Sequence, residues 1–184
     1  MADVDYFAVI HKYIPPDSLA YRSYLPHVSA VTYRALEVAR RLELSAEQRH
    51  FIEEAAMLHD LGVICVDHPE LGFYGQEPYV RHMIEGRRIL EEEGLPRHAE
   101  IAGNHVGLGI TVEEIREQGL PLPPEDLLPE SLEAQVISWA DLFFTKVPGR
   151  LWTPRTPEEV REHVQEYGER AVRTFELWRA RFGE

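Results

Sequence analysis

The stretch AAMLHDLG, residues 55–62, ends an apolar helix with an ionisable His59-Asp60 pair. Ser45 and Gln48 have the spacing of a capping box, so the helix is predicted to begin there and to run to about Asp60. Ile52, Ala55, Ala56 and His59 then fall on its inner face. Burying an imidazole and a carboxylate there is unfavourable without a partner, and both groups are metal ligands. A lone His-Asp dipeptide also arises by chance, so the interpretation needs further ligands elsewhere.

Four more polar side chains stand where a helical pattern asks for apolar ones. His27 shares a face with Val28 and Val31 and is expected to open its helix; His82 lies on the face of Gly86. The other two are His105, which follows Ala102 between two glycines, and Asp141, which sits in VISWADLFF, residues 136–144. Chance explains one or two such placements. Six on successive helices indicate a buried metal site.

The apolar spacing predicts an all-α fold with turns marked by proline and glycine. No alternating strand pattern of useful length, repeat or low-complexity linker is found. We predict one domain over 1–184, with a metal-binding core at about 26–146, loops at 63–77 and 120–130, and a break at Pro148-Gly149. Helices are predicted at about 26–42, 45–60, 78–93, 96–105, 111–118, 131–141 and 157–182. The last would bury a stripe of Val160, Val164, Tyr167, Ala171, Phe175 and Trp178.

Composition narrows the class of protein. The chain has 184 residues, is 44% hydrophobic and carries a net charge of −13, which fits one folded domain and disfavours bulk nucleic acid as a partner. Cys65 is the single cysteine, so neither an internal disulfide nor a cysteine-based zinc site is expected. The N-terminal residues do not resemble a signal peptide, and no apolar run is long enough to span a membrane. We therefore expect a cytoplasmic protein.

The order His27, His59-Asp60, His82, His105 and Asp141 resembles that of the HD-domain metal-dependent phosphohydrolase superfamily. The resemblance covers about 26–146. The segments AAMLHDLG, PYVRHMIEG (78–86), EGLPRHAEIAGNHVGLG (93–109) and WADLFFTK (139–146) are similar to small bacterial HD proteins that are described as predicted phosphohydrolases.

The resemblance implies a helical bundle with two divalent metal ions. His27, His59, Asp60 and Asp141 would hold one ion, and Asp60 would bridge to a second ion held by His82 and His105. Because HD proteins with a single metal often lack those two middle histidines, their presence favours two metals. The metal is open among Fe, Mn, Zn, Ni, Co and Mg.

Two departures from relatives matter. Val63 stands where some relatives carry lysine after HDLG, and Asn104-His105-Val106 replaces the paired histidines of the HD-GYP branch. The second departure disfavours a cyclic-dinucleotide phosphodiesterase. The implied reaction is attack of metal-bound hydroxide on a small phosphomonoester or nucleotide, with no serine or cysteine nucleophile.

Supporting residues are predicted less sharply. Asp60 and Lys146 are the predicted catalytic residues, with Lys146 as a phosphate contact at the mouth of the site. Arg81, which precedes a predicted ligand, should point elsewhere, and His11 and Lys12 would close over the site. For these basic residues the alternative is a solvated surface position. Tyr74 and Tyr79 either line a pocket or pack in the core or at the rim.

Three functions remain open from the sequence. The first is the phosphohydrolase, which acts on a small phosphorylated substrate. A homodimer is also open. The second is a di-iron oxygenase resembling inositol oxygenase, because the same ligands suit iron. The third is a non-catalytic metal-binding sensor, which predicts bound metal without turnover.

Overall fold

The computed structural model describes residues 3–147 and 149–183. Residues 1, 2 and 184 of the predicted domain, and Pro148 of the predicted break, lie outside these ranges. The described residues form nine α-helices and one two-stranded antiparallel sheet, which confirms the predicted all-α class. The helices are α1 (Tyr6–Tyr13), α2 (Leu19–Arg41), α3 (Ala46–Leu58), α4 (His82–Glu92), α5 (Pro96–Asn104), α6 (Val112–Gln118), α7 (Leu132–Asp141), α8 (Pro157–Val164) and α9 (Gly168–Phe182).

Helix starts follow side-chain capping. Ser45 accepts a hydrogen bond from the Gln48 backbone and Gln48 returns one to the Ser45 backbone, so the predicted capping box is present. Thr111 with Glu114 and Thr156 with Glu159 do the same at α6 and α8. These caps satisfy donors that the first turn of a helix leaves unpaired.

The prediction that α2 begins at Pro26 was wrong, because the helix starts at Leu19, where Ser18 caps it. Pro26 lies inside α2, and its missing N–H removes one helical hydrogen bond without ending the helix. His27 therefore does not open a helix; it lies in the middle of a 23-residue one.

Two other helix boundaries also differ. A 3-10 turn at Tyr79–Arg81 precedes α4, so the helix begins at His82 and not at Pro78. The predicted C-terminal helix is divided by another 3-10 turn, Gln165–Tyr167, and Gly168 follows with a φ of 88° that glycine adopts readily. Tyr167 lies in this turn and is 54% exposed, so its assignment to the buried stripe was wrong.

The predicted loop 63–77 is largely ordered. A 3-10 turn at Leu61–Cys65 continues from the His59-Asp60 pair, and strand β1 (Asp67–His68) pairs antiparallel with β2 (Phe73–Tyr74). Strands of two residues are too short to show alternation in a sequence. This small hairpin packs against the turn that carries Asp60.

Two apolar clusters flank the middle of the molecule. One joins α2, α3 and α7 to the C-terminal helices around Trp139, Phe143 and Phe175. The other joins α1 and the first half of α2 to α4 and α5 around Tyr24 and Leu58. Among the described residues, no helix has the length and apolar composition to cross a membrane.

A buried carboxylate ties the N-terminal segment to α3. Glu54 is 5% exposed; it accepts a hydrogen bond from the Val4 backbone at 2.7 Å and lies 3.3 Å from His98 Nε2. His50 Nε2 lies 3.1 Å from Glu54 Oε1, the oxygen that also accepts from Val4. Glu54 therefore satisfies polar groups that burial would otherwise leave unpaired.

Replacing Glu54 by alanine is expected to lower the free energy of unfolding by about 1–3 kcal/mol, because His98 and the Val4 N–H lose their buried acceptor. Urea denaturation followed by circular dichroism measures the loss. The matched control is Glu53→Ala, which removes one part-buried bond to Tyr6 and should lose less than about 1 kcal/mol. Equal losses in both variants would contradict the role of Glu54.

Candidate metal centre

Six side chains from five parts of the chain meet where α2, α3, α4, α5 and α7 converge. Five are almost completely buried, and Asp141 keeps 22% of its side chain exposed. These six are the residues that the sequence singled out: His27, His59, Asp60, His82, His105 and Asp141. The fold brings all of them together. Because Asp141 is the exposed member, solvent reaches the cluster beside it.

The two carboxylate oxygens of Asp60 face different histidines. Oδ2 lies 3.3 Å from His27 Nε2 and 3.9 Å from His59 Nε2. Oδ1 lies 3.4 Å from His82 Nε2 and 3.9 Å from His105 Nε2. One carboxylate thus stands between two groups of imidazoles.

Asp141 belongs to the first group. Its Oδ1 lies 3.1 Å from His27 Nε2 and 3.7 Å from His59 Nε2. In the second group, the Nε2 atoms of His82 and His105 are 3.3 Å apart. In each of two subsets, the donor atoms all lie within 4.8 Å of one another. One subset is His27, His59 and Asp141, and the other is His59, Asp60 and His105.

Three of the histidines are oriented by the same backbone device. His59 and His105 directly follow the last residues of α3 and α5, and His82 follows the 3-10 turn before α4. Each Nδ1 lies 2.6–2.8 Å from the carbonyl oxygen three residues earlier, which belongs to Ala56, Tyr79 or Ala102. A carbonyl only accepts, so Nδ1 carries the hydrogen and the Nε2 lone pair faces the cluster.

Sequence reasoning missed these carbonyl contacts, although the chain contains a signal. A helix end leaves its last carbonyls without helical partners, and a histidine at that end can use one of them. Glycine follows within three residues of both His59 and His105, which marks the ends of their helices. His27 differs, since it lies within α2 and its Nδ1 has no such bond.

The donor atoms suit a divalent metal. Among the described residues, both ring nitrogens of His27, Nε2 of His59 and Oδ1 of Asp60 are buried without a hydrogen-bond partner, whereas Asp60 Oδ2 forms an ion pair with Lys146. Leaving so many buried polar atoms unpaired is unfavourable unless a cation satisfies them. Imidazole nitrogens and carboxylate oxygens are the ligands that zinc, manganese and iron prefer.

The protonation states of Asp60, His82 and His105 match that role. Burial alone would raise the pKa of Asp60, but Lys146 and the neighbouring histidines hold it well below its usual value. Burial lowers the pKa of His82, and burial together with His59 and His82 lowers the pKa of His105 to about 3. The carboxylate is thus ionised and these two imidazoles are neutral, which are the protonation states that bind metals.

Lys146 lies inside the site and not on the surface. Its side chain is 9% exposed, its Nζ forms an ion pair with Asp60 Oδ2, and it donates a hydrogen bond to the Tyr79 hydroxyl at 3.0 Å. Burial alone would lower the pKa of Lys146, but Asp60 and Tyr79 raise it, so the amine stays protonated. The alternative of a solvated surface charge was wrong for this residue.

Tyr79 connects the hairpin to the cluster. Its carbonyl orients His82, its ring centroid lies 4.9 Å from that of His82, and its hydroxyl meets Lys146. The side chain is 41% exposed, which places it at the rim of the site, while Tyr74 is 75% exposed. Burial raises the pKa of the Tyr79 hydroxyl, so it remains protonated at neutral pH.

The other basic residues have different partners. Arg81 points away from the cluster, as predicted, and binds Glu77, Glu85 and the Pro121 carbonyl. Lys12 pairs with Glu93 at the end of α4, and the ring of His11 contacts Tyr21. These contacts agree with the surface position of Lys12 and His11, and not with closure over the site.

Comparison with known sequences identifies relatives of several kinds. The chain is 28% identical over 137 residues to a tRNA (cytidine(56)-2'-O)-methyltransferase of Thermoplasma volcanium and 29% identical over 140 residues to that of Picrophilus torridus. These matches cover 74% and 76% of this chain but only 34% and 35% of the methyltransferases, so the chain spans about a third of their length. An uncharacterised protein of Methanocaldococcus jannaschii is 31% identical over 134 residues, which cover 70% of this chain and 72% of that protein.

The fold also has a solved counterpart. The HD domain of the Listeria monocytogenes phosphodiesterase PgpH superposes with a TM-score of 0.54 over 94% of each chain, at 14% sequence identity. The sequence model of the HD domain matches residues 24–145, which include all six clustered side chains. The chain therefore belongs to the HD domain family.

Proposed function

We propose that this protein is a metal-dependent phosphohydrolase that acts on a small phosphomonoester or nucleotide. The observation that carries the proposal is the division of Asp60, whose two oxygens face separate groups of imidazole nitrogens. Membership of the HD family supports it, because HD domains bind divalent metals.

The ligand assignment follows the two groups. As the resemblance to HD proteins implies, His27, His59, Asp60 and Asp141 would hold one divalent ion, and Asp60 with His82 and His105 would hold a second; the distances from the Asp60 oxygens support this division. When bound, such ions would polarise a phosphoryl oxygen and lower the pKa of a water molecule. The three carbonyl contacts hold the imidazoles in place, so little reorganisation is needed.

Lys146 is the proposed phosphate contact. It is a cation beside Asp60, and its partner Tyr79 is partly exposed at the rim, so a ligand that enters there meets both. The carboxylates of Asp60 and Asp141 and the Lys146 ammonium leave one excess negative charge. Two divalent ions would change this to three positive charges, which a phosphomonoester dianion and one hydroxide would balance.

The family match supports an HD domain, and the relatives leave its substrate open. The PgpH domain is similar in fold only, and the methyltransferases extend far beyond the matched segment. A net charge of −13 also argues against a whole tRNA as the ligand of this chain. A small phosphorylated molecule needs positive charge only locally, which bound metal ions and Lys146 would supply.

The test is phosphate release by protein loaded with manganese, iron or magnesium, across nucleotides, sugar phosphates and other phosphomonoesters. We expect turnover with at least one class, complete loss in Asp60→Asn and full activity in Glu54→Gln. Glu54 is the matched control because it is a buried carboxylate on α3 outside the cluster. No release with any metal, together with oxygen consumption by the iron form, would refute the proposal in favour of an oxygenase.

A further inference from the structure

Tyr79 lies at the boundary between the buried cluster and solvent. Its side chain is 41% exposed, whereas its neighbours His82 and Lys146 are buried. The ring of Tyr79 contacts the ring of His82, and its hydroxyl oxygen lies 3.0 Å from Lys146 Nζ. A ligand that arrives from solvent on this side can therefore touch Tyr79 and the lysine behind it.

The hydroxyl of Tyr79 has a hydrogen that is not used within the protein. An ammonium group has three donors and no acceptor, so in this bond Lys146 donates and the phenol oxygen accepts. The phenol hydrogen must then point elsewhere, and no acceptor for it occurs among residues 3–147 and 149–183. It remains available to an acceptor atom on a ligand.

Lys146 also keeps a donor. One of its three hydrogens faces Asp60 Oδ2 and a second goes to Tyr79, which leaves one without a partner in the described part of the chain. Because Nζ and the hydroxyl oxygen are only 3.0 Å apart, one small ligand group can accept both free hydrogens. Two adjacent donors, one of them cationic, select an oxyanion over a neutral polar group.

Tyr79 is held in position on three sides. The centroid of its ring lies 4.9 Å from that of His82 and 6.0 Å from that of His68 on β1. Its backbone carbonyl accepts a hydrogen bond from His82 Nδ1 at 2.6 Å. A donor that is already ordered loses little freedom when a ligand binds, so these contacts favour recognition by the hydroxyl.

We propose that the Tyr79 hydroxyl and the Lys146 ammonium form a two-donor site for one phosphoryl group. Tyr79 is then a second substrate-binding residue, beside the phosphate contact assigned to Lys146. The inference rests on the proposed function only for the identity of the natural ligand, because the free hydrogens and their spacing belong to the protein itself.

The probe is inorganic phosphate, titrated by isothermal calorimetry into the full chain loaded with manganese. We expect Tyr79→Phe to weaken phosphate binding about tenfold or more, because a hydrogen bond to a charged acceptor is lost. Elemental analysis should find the metal content unchanged, since phenylalanine keeps the ring and the backbone carbonyl that contact His82. The matched control is Tyr74→Phe, which removes an exposed hydroxyl from the same hairpin and should leave the affinity unchanged.

This result is separable from the test of hydrolysis. If no phosphomonoester is hydrolysed but Tyr79→Phe still weakens phosphate binding, the two-donor site stands and the phosphohydrolase proposal fails. If a phosphomonoester is hydrolysed and Tyr79→Phe changes neither the phosphate affinity nor KM, the two-donor site is wrong and the phosphohydrolase proposal stands.

Two further results would overturn the two-donor site. One is wild-type protein that holds manganese but binds no phosphate. The other is loss of metal in Tyr79→Phe, because the tyrosine would then act by supporting His82 and not by contacting the ligand.

Discussion

Gly62→Ala is expected to lower the free energy of unfolding by more than about 3 kcal/mol, the cost of forcing bulk into a closed contact. A Cβ atom at this position would lie 1.9 Å from the His82 carbonyl oxygen and 2.3 Å from the Gly86 nitrogen. Both are backbone atoms, so neither can move aside as a flexible side chain does. The turn after Asp60 and the start of α4 would have to separate.

That separation would also reach the cluster. Asp60 and His82 lie on the two sides of the contact, with Oδ1 and Nε2 3.4 Å apart. We therefore expect Gly62→Ala to bind less divalent metal in elemental analysis, in addition to the loss measured by urea denaturation. The sequence places a glycine after the His-Asp pair, but only the packing of α4 shows why it is required.

The matched control is Gly86→Ala, on the opposite side of the same contact. A Cβ there would lie 3.3 Å from Gly62 N and 3.4 Å from Ala102 Cβ, a tight contact without overlap of backbone atoms. Alanine also favours a helix interior by about 1 kcal/mol over glycine, which offsets the crowding. If both variants unfolded at the wild-type urea concentration, the packing argument would be wrong.

The sequence predicted which side chains cluster better than it predicted the helix boundaries. A polar residue at a buried helical position is visible in the periodicity, and all six members of the cluster carried this signal. Helix boundaries depend on local capping and on the packing partner. Pro26 suggested a helix start, whereas the bundle accepts a proline inside α2, and Ser18 supplied the actual cap.

Lys146 shows a different limit of sequence reasoning. Lys146 follows Asp141 by five residues, which on a continuous helix would be just past one turn, but α7 ends at Asp141 and the described residues directly after it are not helical. The route of this segment back to Asp60 depends on long-range packing, which periodicity does not report. The same holds for Tyr79, whose partners lie on the segment after α7 and at the start of α4.

Asp60→Asn is expected to remove all bound metal and, in the metal-free protein, to lower the free energy of unfolding by about 3–5 kcal/mol. Asparagine keeps the shape but removes the charge that faces the Lys146 ammonium, so a buried cation loses its counter-ion. The measurements are elemental analysis of protein dialysed against manganese or zinc and urea denaturation in chelator. The control is Glu54→Gln, which changes a buried carboxylate of α3 outside the cluster, and this variant should still bind metal.

Lys146→Met is expected to separate metal binding by the cluster from its turnover of substrate. Removing the ammonium relieves its repulsion of a divalent ion, so metal affinity should stay the same or rise, while turnover of a phosphomonoester falls roughly 10²–10³-fold. In the metal-free protein, the double variant Asp60→Asn/Lys146→Met should be more stable than the sum of the single losses predicts, by about 2 kcal/mol. If Lys146→Met lost metal as Asp60→Asn does, the lysine would support the ligands and would not be the proposed phosphate contact.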